Sequence, residues 1–327
     1  MFKHRNPIFF LFLFFFLSIP LLSQVITIDS HIDIPFDYME NPQHDPGKIT
    51  DMQVDLDKMK KGGLDSGFFV VYVPQGPLDK AGFKKAKLLA EKKFLAISKM
   101  TKIYSNKIGL ALVPEDIIKL KNNNLLSAAI GIENGYVIGE DLSLLDHYYS
   151  LGARYMTLTH IGHNQIADSS IPSKRLNDEE ELHGGISAFG KKAIKRMNNL
   201  GMMIDISHIS DKASLEAIKL SSAPVIASHS CVKSIADHPR NISDELLFAL
   251  KENEGVIQIT AFANYVKVNN DRFNSIISLG NNVAKLYGDK SFNPSLHSNK
   301  REYLEGIENI NMEFPMPDID DFIDHID

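Results

Sequence analysis

The sequence predicts an α/β fold, a TIM-type (β/α)8 barrel that stops after seven strands. Three observations predict it. Short, β-branched, nearly all-apolar runs alternate with amphipathic stretches, as in parallel strands covered by helices on both faces. Seven such units fit a barrel better than an open sheet. No internal repeat or low-complexity linker divides the 327 residues, so everything behind the leader reads as one unit.

The leader comes first. Lys3, His4 and Arg5 form a basic start, Ile8 to Leu22 is almost wholly apolar, and Ser23 is small enough to precede a cut. Residues 1–24 therefore read as a signal peptide that exports the protein to a periplasmic or extracellular space. The competing reading is an uncleaved anchor, since no charge falls between Asn6 and Ile28. Pro20 and the lack of a linker before the next strand favour cleavage, leaving residues 25–327 as the barrel unit.

The strands follow in order: Val25–Asp29, Gly67–Val73, Ser127–Ile132, Arg154–Thr159, Met202–Ile206, Pro224–Ser228 and Gly255–Thr260. Helical patterns lie between them at Lys80–Tyr104, Leu142–Leu151, Ala188–Leu200, Lys212–Leu220 and Asp244–Lys251. Leu151-Gly152 and Leu200-Gly201 carry the glycine expected just past a helix. Val266–Met316 is rich in Asn and reads as irregular loop.

Composition narrows the function. Hydrophobic residues at 44% and charged residues at 23% exclude disorder over most of the chain. With 35 basic against 41 acidic residues the net charge is −6, which argues against a nucleic-acid partner. A single cysteine, Cys231, excludes an internal disulfide framework and a Cys-rich zinc site. A metal would have to be held by His, Asp and Glu.

Those residue types collect at one end of the strands. His31 and Asp33 follow the first, Glu133 the third, His160 the fourth, His208 the fifth and His229 the sixth. In a parallel barrel all these ends open onto one face. Each residue alone has a bland reading as a core histidine, a helix cap or a loop charge. Together they would lie unpaired or repel unless a cation held them. His31 and Asp33, two apart on an extended chain, point the same way and can share an ion. Glu133 can bridge two ions, with His208 and His229 on the second. Nitrogen and oxygen donors without thiolate suit zinc first, and also manganese or cobalt. Two divalent ions would acidify a trapped water, which points to hydrolysis.

Three blocks carry a resemblance: Gly185–Ser210 (GISAFGKKAIKRMNNLGMMIDISHIS), Ala223–Leu247 (APVIASHSCVKSIADHPRNISDELL) and Leu151–Asn164 (LGARYMTLTHIGHN). From about Val25 to its end the chain resembles the membrane dipeptidase (renal dipeptidase) family of zinc peptidases, whose fold is a (β/α)8 barrel. The resemblance implies His31 and Asp33 as ligands of a first metal, Glu133 as the bridge, and His208 and His229 as ligands of a second. It implies His160 as the histidine that contacts substrate and steadies the tetrahedral intermediate. It also implies Arg240, which alone would read as a surface charge, as the group gripping a dipeptide's free carboxylate. Homodimerisation is a further expectation from the family.

The resemblance has one departure. Relatives carry a strand-eight segment like G-x-x-x-x-G-x-D-F-D-G, whose aspartate handles a proton and completes the first metal's shell. This sequence ends on the preceding acidic helix, with Asp318, Asp320, Asp321 and Asp324 in it. The expected protein is thus a secreted dipeptidase or a piece of one. The alternatives are another amidohydrolase-type metal hydrolase on the same barrel, against which His31-Ile32-Asp33 argues, and an inactive remnant acting only as a binding protein.

Overall fold

The computed structural model describes residues 25–326, so the leader with its export expectation lies outside the described residues. Eight parallel strands occur among them: β1 (Ile28–Asp33), β2 (Ser66–Tyr72), β3 (Ile108–Leu110), β4 (Leu126–Glu133), β5 (Ala153–Thr157), β6 (Met203–Asp205), β7 (Ile226–Ser230) and β8 (Val256–Ile259). Seven run in the order β1-β2-β4-β5-β6-β7-β8, and β3 pairs only with β4. Every pairing is parallel. The result is a nearly closed barrel with helices outside and an unsealed seam between β8 and β1.

Local chemistry explains the elements. β2 and β4 are continuous apolar runs because both of their faces are covered: Val70, Val71, Ile130 and Ile132 are all buried. Helices begin on capping side chains. Asp79 accepts from Gly82 N for the helix Lys80–Ile103, and Ser187 accepts from Gly190 N for Ala188–Leu200. The second of these stops at Gly201, whose φ of 74° is left-handed.

Inside the barrel, Gly131 of β4 stands opposite Tyr155 of β5. A Cβ at Gly131 would lie 2.1 Å from Tyr155 Cζ, so only glycine lets the ring fold across β4 into the barrel.

Three expectations are corrected. The first strand is Ile28–Asp33 rather than Val25–Asp29, which puts His31 and Asp33 inside the strand. The extra strand β3 escaped notice because three residues are too few to show alternation. The stretch Val266–Met316 is largely helical, with helices Asn270–Leu286 and Arg301–Glu313. Asn269 caps the first by accepting from Arg272 N at 2.9 Å, and Leu279 packs where Gly306 of the second has no side chain. Its many asparagines, weak in helix interiors, hide the 3.6-residue pattern.

The seam is not left bare at its upper end. Ser30 of β1 donates its N–H to Gln258 Oε1 of β8 at 3.1 Å, and its Oγ to the Ser228 carbonyl of β7 at 2.5 Å. Side chain and hydroxyl replace the missing ladder there. Gln258→Ala strands the Ser30 amide and is expected to lower stability by about 1–3 kcal/mol. The reading is a lower denaturation midpoint at unchanged m-value; an unchanged midpoint would show that the seam holds without this bond.

Candidate metal centre

The C-terminal strand ends deliver the polar residues to one mouth. His31 and Asp33 come from β1, Glu133 is the last residue of β4, and His229 lies in β7. His160 and His208 sit in the turns just after β5 and β6. The cleft they border has a volume of about 1030 Å³ and is also lined by Tyr72, Lys93, Gln258 and Tyr265.

Glu133 is the hub. Its side chain is 4% exposed, and four imidazole Nε2 atoms face it. His208 is 3.0 Å and His229 3.5 Å from Oε1, His160 is 3.7 Å from Oε1, and His31 is 3.6 Å from Oε2. The rings crowd one another, with centroids 3.7 Å apart for His31 and His229 and 4.3 Å for His160 and His208. Two triads bring ligand atoms within 4.8 Å of each other: His31–Glu133–His229 and Glu133–His160–His208. Asp33 lines the same cleft but stands exposed at its opening, outside both triads. Arg240 is buried behind His229, donating from Nη2 to the His229 carbonyl at 3.0 Å. Its guanidinium lies 5.3 Å from the Tyr265 ring, and its Nε has no partner.

Electrostatics follow from this crowding. Burial alone would raise the Glu133 carboxyl, but His31, His208 and His229 outweigh it and hold the group well below the usual carboxylate range. Burial, reinforced by the Arg240 charge, keeps His208 well below the usual imidazole value. Burial and then the His31 charge push His229 down to about 4. His160 is lowered chiefly by burial. His31 goes the other way: burial opposes protonation, but Glu133 beside it prevails. Asp33 is raised by desolvation in the cleft and then by the Glu133 charge. Lys93 is brought down to about 8 by burial, its ammonium donating to the Ile34 carbonyl at 2.8 Å.

Three imidazoles biased toward the neutral form around one carboxylate offer lone pairs to a cation with little competition from protons. His208 adds two further signs. Its Nδ1 is buried without a partner, and its φ of 71° is a left-handed conformation uncommon outside glycine. The set is nitrogen and oxygen only. The buried Cys231 thiol, raised to about 11 by burial, donates to the Thr260 carbonyl at 3.3 Å. The donors therefore fit one or two divalent ions of zinc, manganese or cobalt type.

Fold and donor set together define a class: parallel barrels with a His/carboxylate metal centre at the C-terminal mouth. Within that class the chain belongs to the membrane dipeptidase family, peptidase family M19, whose sequence profile matches residues 18–327. Among curated proteins, dipeptidase verJ of Clonostachys rogersoniana is 31% identical over 256 residues, covering 74% of this chain and 64% of that protein. Dipeptidase 3 of Mus musculus is 32% identical over 248 residues, covering 74% of this chain and 48% of that protein. The chain thus spans about half to two-thirds of the length of such relatives. Among solved structures, the probable dipeptidase PvdM of Pseudomonas aeruginosa superimposes with a TM-score of 0.78 at 27% identity, covering 93% of this chain and 79% of that one.

Several residues of the centre escaped the sequence reading. Tyr155 and Thr157 share the inward face of β5 by simple alternation, and Asp205 is two residues before Ser207 in the IDISH run, so period two could have found them. Tyr265 belongs to the Phe262–Tyr265 stretch, which the sequence reads as an irregular loop linked to specificity pockets without assigning the residue a role. Lys93 is one of many lysines on its helix, and nothing local marks it as buried.

The wall beside His160 and His208 is fastened by Asp168. Its carboxylate accepts from Leu182 N at 2.9 Å, His183 N at 3.0 Å and Gly185 N at 2.8 Å, and the adjoining Ser170 N donates to the His208 carbonyl at 2.8 Å. Burial opposes the charge, but these amides lower the Asp168 carboxyl below its ordinary value. A lowered folded value contributes stability that is present above the unfolded value of about 3.9 and lost as pH falls through the folded one. Asp168→Asn is expected to reduce neutral-pH stability by about 1–2 kcal/mol and to flatten the stability decline below about pH 4. Denaturation midpoints measured from pH 3 to 7 test it; an acid limb as steep as the parent's would refute the assignment.

Proposed function

We propose that this protein is a metal-dependent dipeptidase. The observation that carries the reading is Glu133, a buried carboxylate faced by four imidazole nitrogens from separate strand ends at a barrel mouth. His31, Asp33 and Glu133 would hold one divalent ion, and Glu133, His208 and His229 a second, with zinc the first choice. Bound there, such ions supply an acidified water and positive charge for a polarised carbonyl oxygen.

The chain's own residues do the rest. Glu133 stays charged at working pH and joins the two halves of the centre. His160 borders the cleft with its side chain 19% exposed and its Nε2 turned inward, placed to donate to oxygen charge developing on the scissile carbonyl. Tyr265 lines the cleft, and the Arg240 guanidinium is buried behind it and His229, 5.3 Å from the Tyr265 ring. Its positive charge acting through that wall favours a substrate ending in a free carboxylate and so limits substrate length. Residues 25–327 form the hydrolase unit in this reading, exported by residues 1–24. The family membership supports it, as do the relatives that are themselves named dipeptidases.

Zinc-loaded protein is expected to cleave dipeptides and to leave the same dipeptides amidated at the C-terminus largely intact. Chelation should abolish turnover and zinc restore it, and His208→Ala should abolish it outright. Arg240→Ala should raise KM about 10–100-fold with less effect on kcat. Turnover that persists after full chelation, or equal rates on acid and amide, would sink the proposal.

A further inference from the structure

Behind the imidazoles lies a shell of buried hydroxyls that none of the roles above uses. Its proton arrangement can be worked out from geometry. Asp205 of β6 is wholly buried. Its Oδ1 accepts from Ser207 N and from Ser228 N, each at 3.0 Å. Its Oδ2 accepts from Ser228 Oγ at 2.6 Å and from Thr157 Oγ1. Ser228 Oγ also lies 2.8 Å from His229 Nδ1. A serine hydroxyl has one proton, and here it goes to the carboxylate. Ser228 Oγ can then only accept from His229, so His229 carries its proton on Nδ1 and leaves Nε2 bare, 2.9 Å from His208 Nε2, which donates to it, and 3.5 Å from Glu133 Oε1.

The same count applies on the other side of the mouth. Tyr155 is wholly buried, and its hydroxyl donates to the Ser30 carbonyl at 3.0 Å. His31 Nδ1 lies 3.1 Å from that hydroxyl. With its one proton committed to Ser30, the Tyr155 oxygen can only accept. His31 is thereby also a Nδ1–H imidazole with its Nε2 facing Glu133.

We infer that Tyr155 and the Ser228–Asp205 pair are positioning residues that fix His31 and His229 in the Nδ1–H tautomer, each through one hydroxyl whose proton is used elsewhere. Each device serves one histidine, although the Ser228 and Tyr155 hydroxyls also interact and Ser228 borders the cleft. A histidine held this way presents its ligating nitrogen already deprotonated and correctly turned. The inference rests on the reading of the cluster as a metal centre. The tautomers, however, can be read without any ion, so the two stand or fall separately.

The sharpest test is Asp205→Asn, which changes one atom. The two backbone amides hold the remaining oxygen at the Oδ1 place, so the new NH2 takes the Oδ2 place facing Ser228. It donates to Ser228 Oγ, whose proton must then turn to His229 Nδ1. Long-range nitrogen–proton NMR spectra of the metal-free protein, taken at a pH where His31 has lost its extra proton, are expected to show the Nδ1–H pattern at both His31 and His229. Asp205→Asn should convert His229 alone to the Nε2–H form. Ser228→Ala should release His229 from a single tautomer, and Tyr155→Phe should release His31.

Zinc titration should then show affinity falling about 10–100-fold in one binding step per variant, at near-parental melting temperature. Should Tyr155→Phe fail to fold, the two variants on the Asp205 side still decide the His229 half. An Nε2–H pattern at either histidine in the parent protein overturns the inference for that side, and so does a His229 signal unmoved by Asp205→Asn. A parent protein with the expected tautomers but no zinc affinity would leave the tautomer inference standing and overturn the metal-centre reading instead.

Discussion

A carboxylate taken out of water costs several kcal/mol unless positive charge or hydrogen bonds replace the solvent. Glu133 is faced by nitrogen from four histidines, none of which is its neighbour in sequence, with His208 in hydrogen-bond contact and a cation among the rings able to meet the rest of that demand. Much of the architecture above it can be traced to this requirement. β1, β4, β5, β6 and β7 must end at the same height and lean inward for the rings to meet. Ring centroids as close as 3.7 Å leave little room for any strand to drift. The barrel need not be sealed all the way round for this. It must only be held where β1 approaches β7, and there Ser30 ties the edges together through Ser228 and Gln258.

The supporting layers are graded in polarity. At the mouth sit imidazoles and carboxylates. One level down come hydroxyls and a single carboxylate, Asp205, which accepts from Ser207 N, Ser228 N, Ser228 Oγ and Thr157 Oγ1. Below them, inside the barrel, Phe68 packs on the Tyr155 ring with centroids 5.2 Å apart, beside the buried Val70 and Ala129. Polar groups in such a place rigidify a site when each is satisfied and weaken it when one is not. At His208, as at Arg240 Nε, satisfaction stops: the His208 Nδ1 is unpartnered and its backbone left-handed. Both costs fall on the same residue, one of the two imidazoles nearest the hub's Oε1 and the one in shortest contact with it.

How far the sequence could be read follows the physics of each element. Apolar strands and the helices between them were legible because periodicity and caps are local signals; Ala188–Leu200 is found at its own boundaries. The mouth residues were legible because each stands at a strand end, where alternation gives way to a lone polar side chain. The structure brings His31, Glu133, His160, His208 and His229 together, with Asp33 at the rim and Arg240 behind. What stayed hidden depended on long-range contacts. Tyr155 reads as another apolar strand residue until β1 is seen opposite it. Lys93 reads as a surface lysine until Ile34 receives its proton. The helices after β8 were masked by asparagines whose capping role shows only in three dimensions.

Gly131 contributes no side chain, yet it works as a gauge of strand alignment. Tyr155 can reach Ser30 and His31 only while its ring lies in the space where Gly131 lacks a side chain. Slide β5 by one residue along β4 and the tyrosine leaves the barrel for its outer face. The hydroxyl is then gone from beneath His31, which loses its Nδ1 partner. A cation held at the mouth would therefore favour the correctly paired sheet over slipped ones.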